Sequence, residues 1–347
     1  MYEAFYELSA KPFQLNPDPS FYFGSRGHKR AFAYLEYGLY QSEGFIVITG
    51  EIGAGKTTIV RSLLEQLDSA KVVAAQLVST QLDADDMLRA VAVAFGLPVK
   101  AVDKAMLLAT LEAFLCKVAI DKKRALLIVD EAQNLPPRAV EELRMLSNFQ
   151  LGDQALLQSF LIGQPELRNM MRSPEMKQLR QRVIASYHLG PLDKSETRAY
   201  IEHRLHHVGW QDKPHFHPGC FDLIHALTGG IPRRINTLCN RLLLAGFLAE
   251  RQVLEESDVH AIAREIHEEL GADSAVAPMA VVNGVAAADG AAAARVDAGT
   301  LNRHFDHLEE RIDRLEKTVA AAVDLLHRLL HPDRAADAAK ASTPARR

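Results

Sequence analysis

The run GFIVITGEIGAGKTTIVRSLLEQL, residues 44–67, constrains the fold more than any other stretch of the chain. Its opening, GFIVITG, is apolar, rich in β-branched residues and closed by glycine, as in a strand buried on both faces. Its end, KTTIVRSLLEQL, spaces its apolar residues as an amphipathic helix does. Between them GEIGAGKT, residues 50–57, satisfies G-x-x-x-x-G-K-[ST] in full. Strand, glycine-rich turn and helix in that order make an anion cradle. The glycines let backbone N–H groups turn inward around phosphate oxygens, and the helix start adds positive potential. The expected phosphate contacts are Gly50, Glu51, Ile52, Gly53, Ala54, Gly55, Lys56, Thr57 and Thr58. Lys56 is expected to reach the β- and γ-phosphates, and Thr57 to ligate Mg²⁺.

Further apolar strands are expected at KVVAAQLVST (71–80), ALLIVDE (125–131), LLQSFLIGQ (156–164) and VIASYHL (183–189). Amphipathic stretches at 83–95, 103–120 and through AVEELRMLSNF separate them. This alternation predicts an α/β fold, a doubly wound parallel sheet over residues 1–190. Asp130 and Glu131 close one strand: Asp130 suits the Mg²⁺ shell, and Glu131 suits the base that polarises an attacking water. Gln164 ends the next strand, placed to hold that water or sense the γ-phosphate. Ser79 and Thr80, ending the second strand, could restrain Glu131.

From Pro191 the strand signal stops, and residues 191–270 read as a helical lid. Asp193 with Glu196 forms a capping box, and Ser257 reads as a second cap. Within GGIPRRIN (229–236), Pro232 suits a first helical position. Arg233 and Arg234 then sit in the first turn, where the helix dipole disfavours cations. Two arginines there call for an anion. Residues 271–300 hold 12 alanines among Gly, Asp and Pro and read as a flexible linker. Leu301, Phe305, Leu308, Ile312, Leu315, Val319, Ala322, Leu326 and Leu329 then step by four and three, a heptad seam that predicts a coiled-coil helix over 301–330. Residues 331–347 are expected to be a disordered tail.

A net charge of −4 gives no overall basic field for nucleic acid. Three scattered cysteines make neither a disulfide framework nor a CxxC metal site. No secretory leader and no apolar run long enough to span a bilayer is read, so a cytoplasmic protein is expected. His203 and His207 share a helix face at metal-ligand spacing, but with no H-E-x-x-H glutamate a lid-packing role is the reading. DEAQ matches a helicase box in letters only.

Together these residues resemble the AAA+ ATPases, and within them the general secretion pathway protein A group. The supporting strings include PFQLNPDPSFYFGSRGHKRAFAYLEYGL, GEIGAGKTT, LLIVDEAQNL, EELRMLSNF, LIGQPEL, LRQRV, ETRAYIEHRL and GGIPRRIN, spread over residues 1 to about 265. The amino-terminal wording is further similar to the secretion ATPase of exosortase (PEP-CTERM) and exopolysaccharide loci of Gram-negative bacteria. The resemblance implies a Mg²⁺-dependent ATPase acting as a homo-oligomer on envelope secretion or polysaccharide-assembly proteins, with peripheral association at the inner membrane. It implies that Arg233 pairs with the γ-phosphate of nucleotide held by the same chain. It also implies an arginine finger donated to a neighbouring subunit, from Arg180 or Arg182, with Arg182 favoured by its place just before a strand. The stretch with Phe21 to Phe23 and His28 lies where the family forms its adenine pocket. Some relatives continue into a transmembrane helix and a peptidoglycan-binding part that are not read here. Two other readings stand beside this one: a DNA-dependent AAA+ switch, and a scaffold that ATP orders without hydrolysis.

Overall fold

The computed structural model describes residues 1–270, apart from 17, 42, 79–82 and 100–102. Ser79, Thr80, the alanine-rich linker, the heptad segment and the tail lie outside the described residues. The chain opens with α1 (Tyr2–Phe5) and α2 (Arg26–Gln41), followed by β1 (Phe45–Gly50), α3 (Lys56–Gln66), β2 (Val72–Leu77), α4 (Ala84–Ala94) and α5 (Lys104–Ile120). Next come β3 (Arg124–Val129), α6 (Pro137–Leu146), a small hairpin of β4 (Gln150–Leu151) and β5 (Gln154–Ala155), and β6 (Leu157–Gly163). Two short helices, α7 (Pro165–Arg172) and α8 (Lys177–Arg180), lead to β7 (Val183–Leu189).

The five main strands form one parallel sheet in the order β2-β3-β6-β1-β7. Every residue of β1 and of β6 is buried, because helices cover both faces of the inner strands. One face carries Val47, Leu127 and Leu161 toward α4 to α6. The other carries Ile46, Ile48 and Phe160 toward α2 and α3. The alternation along each strand thus splits one sheet into two apolar layers. With β1 between β6 and β7, and β3 beside β6, the loops leaving β1, β3 and β6 emerge at one edge, where open α/β sheets bind ligands.

The lid consists of α9 (Lys194–His207), α10 (Pro218–Thr228), α11 (Pro232–Leu248) and α12 (Glu256–Leu270). The Asp193–Glu196 capping box is present, with the Glu196 N–H donating to Asp193 Oδ1 over 2.8 Å. Ser257 is not a cap: α12 begins at Glu256, and Asp258 accepts the Glu255 N–H instead. Nor is the lid wholly helical, since β8 (His215–Phe216) and β9 (Val253–Leu254) pair in parallel within it.

The amino-terminal residues also depart from the sequence-based division, which counts them with the sheet. Tyr2, Tyr6, Leu8, Phe13 and Phe21 are buried in the lid's own core, among Ile201, Leu205, Leu238 and Leu242. The Tyr2 hydroxyl donates to Asn240 Oδ1 over 2.8 Å, and the Ser9 N–H to the Val208 carbonyl over 2.9 Å. Arg204, buried in α9, donates through Nε to the Pro12 carbonyl over 2.5 Å. Apolar residues at helical spacing show that a segment is buried, but not which of two cores receives it.

Candidate active site

The loop after β1 takes the shape its glycines permit. Gly53 and Gly55 adopt φ of +81° and +98°, a region that L side chains rarely enter. Lys56 opens α3 and is only 6% exposed, its Nζ donating to the carbonyls of Gly50 (2.7 Å) and Glu51 (2.9 Å). Burial lowers its pKa, against the opposing pull of Glu131 and Asp130. A poorly hydrated ammonium in an anion cradle gains most from a phosphate partner.

Thr57 Oγ1 donates to Asp130 Oδ2 over 3.2 Å, so the loop and the end of β3 share one polar corner. Burial, and then the neighbouring Glu131, push the Asp130 carboxyl up, although the Glu131 N–H donates to its Oδ1 over 3.0 Å. A hydroxyl and a carboxylate are the hard oxygen ligands that Mg²⁺ takes, beside phosphate oxygens and water. The donor set therefore fits the expected ion, and a cation would relieve the strain on a buried Asp130.

Glu131 leaves β3 with φ of +52°. Its Oε2 accepts from Gln133 Nε2 (2.6 Å) and Gln164 Nε2 (2.9 Å), while the Gln164 N–H donates to Gln133 Oε1 over 3.0 Å. Burial opposes ionisation of Glu131, but the two amides and the Lys56 charge outweigh it and hold the carboxyl below the usual glutamate range. The structure thus brings Gln164, at the end of β6, onto Glu131. Gln133 was not singled out from sequence. No pattern in the sequence marks it; it occupies the space that Gly163 leaves open, where an added Cβ would lie 2.7 Å from Gln133 Oε1.

A cavity of about 310 Å³ opens above this corner, within the size range of ligand pockets. Its walls include Gly53, Gly55, Lys56, Thr57, Thr58 and Glu131, and opposite them Gln14, Phe21 to Phe23, His28, Tyr200, Arg204 and Arg233. The aromatic stretch therefore does face the cleft, but its rings also pack on the lid. Phe21 lies under the Arg204 guanidinium at 4.6 Å, and Phe23 stands edge-on to Tyr200 at 5.7 Å. Tyr200, Arg204 and Asn236 form a connected set in the lid wall that no sequence spacing announces: Arg204 Nη1 donates to the Tyr200 hydroxyl, which donates to Asn236 Oδ1.

Arg233 begins α11 beside the loop, its N–H donating to the Gly53 carbonyl over 3.1 Å and its exposed side chain lining the cleft. Arg234, half-buried, does not line it. Arg182 and Arg180 lie away from the cleft. Arg182 Nη1 donates to the Ser147 carbonyl (3.0 Å) and hydroxyl (2.9 Å), with Nη2 on Asn148, and so caps the end of α6. Arg180 Nη1 donates to the carbonyls of Met171 (2.6 Å) and Ser173 (2.7 Å).

Residues 39–171 match the AAA domain family. The chain is 39% identical over 267 residues to general secretion pathway protein A of Aeromonas hydrophila, covering 77% of this chain and 48% of that protein. It therefore spans about half the length of that relative. In fold it is similar to the Aeropyrum pernix ORC1 protein in complex with DNA, at a TM-score of 0.55 and 17% identity over 75% of this chain and 70% of that one. Cdc6p from Pyrobaculum aerophilum is similar to the same degree, at a TM-score of 0.53 and 16% identity over 76% and 71%. These likenesses concern fold alone. No helix among the described residues is long and apolar enough to cross a membrane.

Proposed function

We propose that the chain is an AAA+ ATPase related to general secretion pathway protein A, whose cleft hydrolyses ATP with Mg²⁺ to drive or regulate envelope export. The observation that carries the proposal is the convergence of Lys56, Thr57, Asp130, Glu131 and Gln164 at one sheet edge, faced by Arg233 from the lid.

Each residue has a task its surroundings suit. Lys56 neutralises the β- and γ-phosphates, and the inward N–H groups of the loop hold their oxygens. Thr57 and Asp130 would hold Mg²⁺, which when bound would supply positive charge against the phosphates. Glu131, kept ionised by its amide partners, accepts a proton from the attacking water. Gln164, touching Glu131, reports whether that carboxylate is engaged. Arg233 meets the terminal phosphate and ties the lid to nucleotide state, which gives the arginines at a helix start the anion they call for.

The same reading makes the working unit a homo-oligomer, with Arg182 reaching a neighbour's cleft. An arginine supplied in trans is worth about 10³–10⁵ in rate. The load we propose is exopolysaccharide or exosortase-sorted protein machinery, supported by the amino-terminal wording of the sequence. Phosphate release from Mg-ATP by the purified chain tests the core of the proposal. Specific activity should rise with protein concentration, Lys56→Ala should lose nucleotide binding, and Glu131→Gln should bind ATP but turn over about 10²–10⁴-fold more slowly. Full turnover by Glu131→Gln would refute the assignment of the base.

A further inference from the structure

His28 lines the cleft from the first turn of α2, in the stretch expected to meet a base, but its hydrogen bonds run elsewhere. The ring is buried, at 6% exposure. The Ser25 hydroxyl accepts the His28 backbone N–H over 3.2 Å, so its own proton is free for His28 Nδ1 at 2.7 Å. With the hydroxyl donating to Nδ1, the ring proton sits on Nε2, the tautomer that can donate toward the loop. Nε2 abuts the loop, since a Cβ on Gly55 would stand 2.5 Å from it, and a hydrogen bond of the ring with the Ala54 backbone opposes the effect of burial on its pKa. Burial lowers the ring's pKa and favours this neutral form.

We propose that His28 is a positioning residue for the phosphate cradle, acting through the Ala54–Gly55 peptide. In a trans peptide the C=O of one residue and the N–H of the next point in opposite directions. Anchoring the Ala54 carbonyl on His28 therefore turns the Gly55 N–H away from α2 and toward the loop interior, where Lys56 sits. Gly55 carries this peptide with φ of +98°, a setting glycine holds without strain. Ser25 sets the tautomer, His28 sets the peptide, and the peptide presents a donor to phosphate. The same first turn meets the lid: the Arg26 N–H donates to Glu196 Oε1 over 2.9 Å, and its guanidinium pairs with Asp193. A single helix turn thus touches both the cradle and the lid's first helix.

The proposal rests on the cleft's being a nucleoside triphosphate site, and titrations with two nucleotides separate the claims. Affinity for ATP and for inosine triphosphate is measured on the full chain and on His28→Ala, His28→Gln and Ser25→Ala. Losing one net hydrogen bond should weaken both nucleotides by the same factor, about fivefold, in His28→Ala. His28→Gln, which keeps an N–H donor on that side, should recover most of the loss, and Ser25→Ala should fall between. A penalty that differs between the two bases would make His28 a base contact and overturn the proposal, as would failure of Gln to rescue. If His28→Ala does not fold, Ser25→Ala decides, and unaltered affinity there is the overturning result. Absence of ATP binding by the unaltered chain would instead remove the triphosphate reading and this proposal with it.

Discussion

Gly53→Ala is the sharpest test of how the lid is seated on the loop after β1. A Cβ at Gly53 would stand 2.3 Å from Arg233 Cβ, where carbon atoms in contact sit about 3.5–4.0 Å apart. The loop and the start of α11 must therefore separate, and the bond from the Arg233 N–H to the Gly53 carbonyl is lost with them. That bond is worth about 1 kcal/mol net. The left-handed backbone at Gly53 adds about 1–2 kcal/mol of strain for any L side chain. Two other glycines measure the strain alone: Gly96 and Gly209 adopt φ of +76° and +82° and have no atom within 4 Å of an added Cβ. All three alanine variants should lose thermal stability, at about 2–4 °C per kcal/mol for a domain of this size. Gly53→Ala should lose about 1 kcal/mol more than the other two. It alone should speed amide exchange at Arg233 and weaken ATP binding. Equal melting shifts, with Arg233 exchange unchanged in all three, would show that the lid does not rest on the loop in solution.

Gln133→Ala should shift the pH dependence of turnover. Its amide favours the charged form of Glu131, so removing it raises that carboxyl's pKa. The acidic limb of the kcat/KM profile should then move to higher pH, with activity lost earlier on acidification; an unmoved limb would dismiss Gln133 as a tuner of the base. Arg182→Ala should do two separable things. It strips the cap from the end of α6, costing about 1 kcal/mol of stability by thermal unfolding. If the residue also serves a neighbour, turnover should fall by orders of magnitude beyond that, and Arg182→Lys should restore stability better than rate.

The sheet was legible because its strands declare themselves locally. GFIVITG, ALLIVDE and LLQSFLIG each carry a run of mostly apolar residues, and each became a strand within a residue or two of the expected span. The shape of the loop after β1 was legible for a similar reason, since the glycine conformations and the helix start at Lys56 are set by near neighbours. What could not be read was lateral. Gln133 reaches Gln164 across 31 positions, and Arg204 reaches Pro12 across 192. A polar residue's partner at such separation leaves no periodic trace. The arginines show the same limit from the other side: nothing in MKQLRQRV indicates that Arg182 would grip the end of a helix 35 positions earlier.

The burial of Tyr2, Tyr6 and Phe13 among helices that begin some 190 positions later bears on biosynthesis. On the ribosome this segment is made before its partner helices and packs only after them, because its sockets do not exist until α11 and α12 have emerged. Its aromatic rings must wait through synthesis of the entire sheet domain, a long loop to close and a slow kind of contact to form. A recombinant fragment starting at the lid would carry empty sockets lined by leucine and isoleucine, prone to self-association. Supplying residues 1–25 as a separate peptide to such a fragment should restore its solubility.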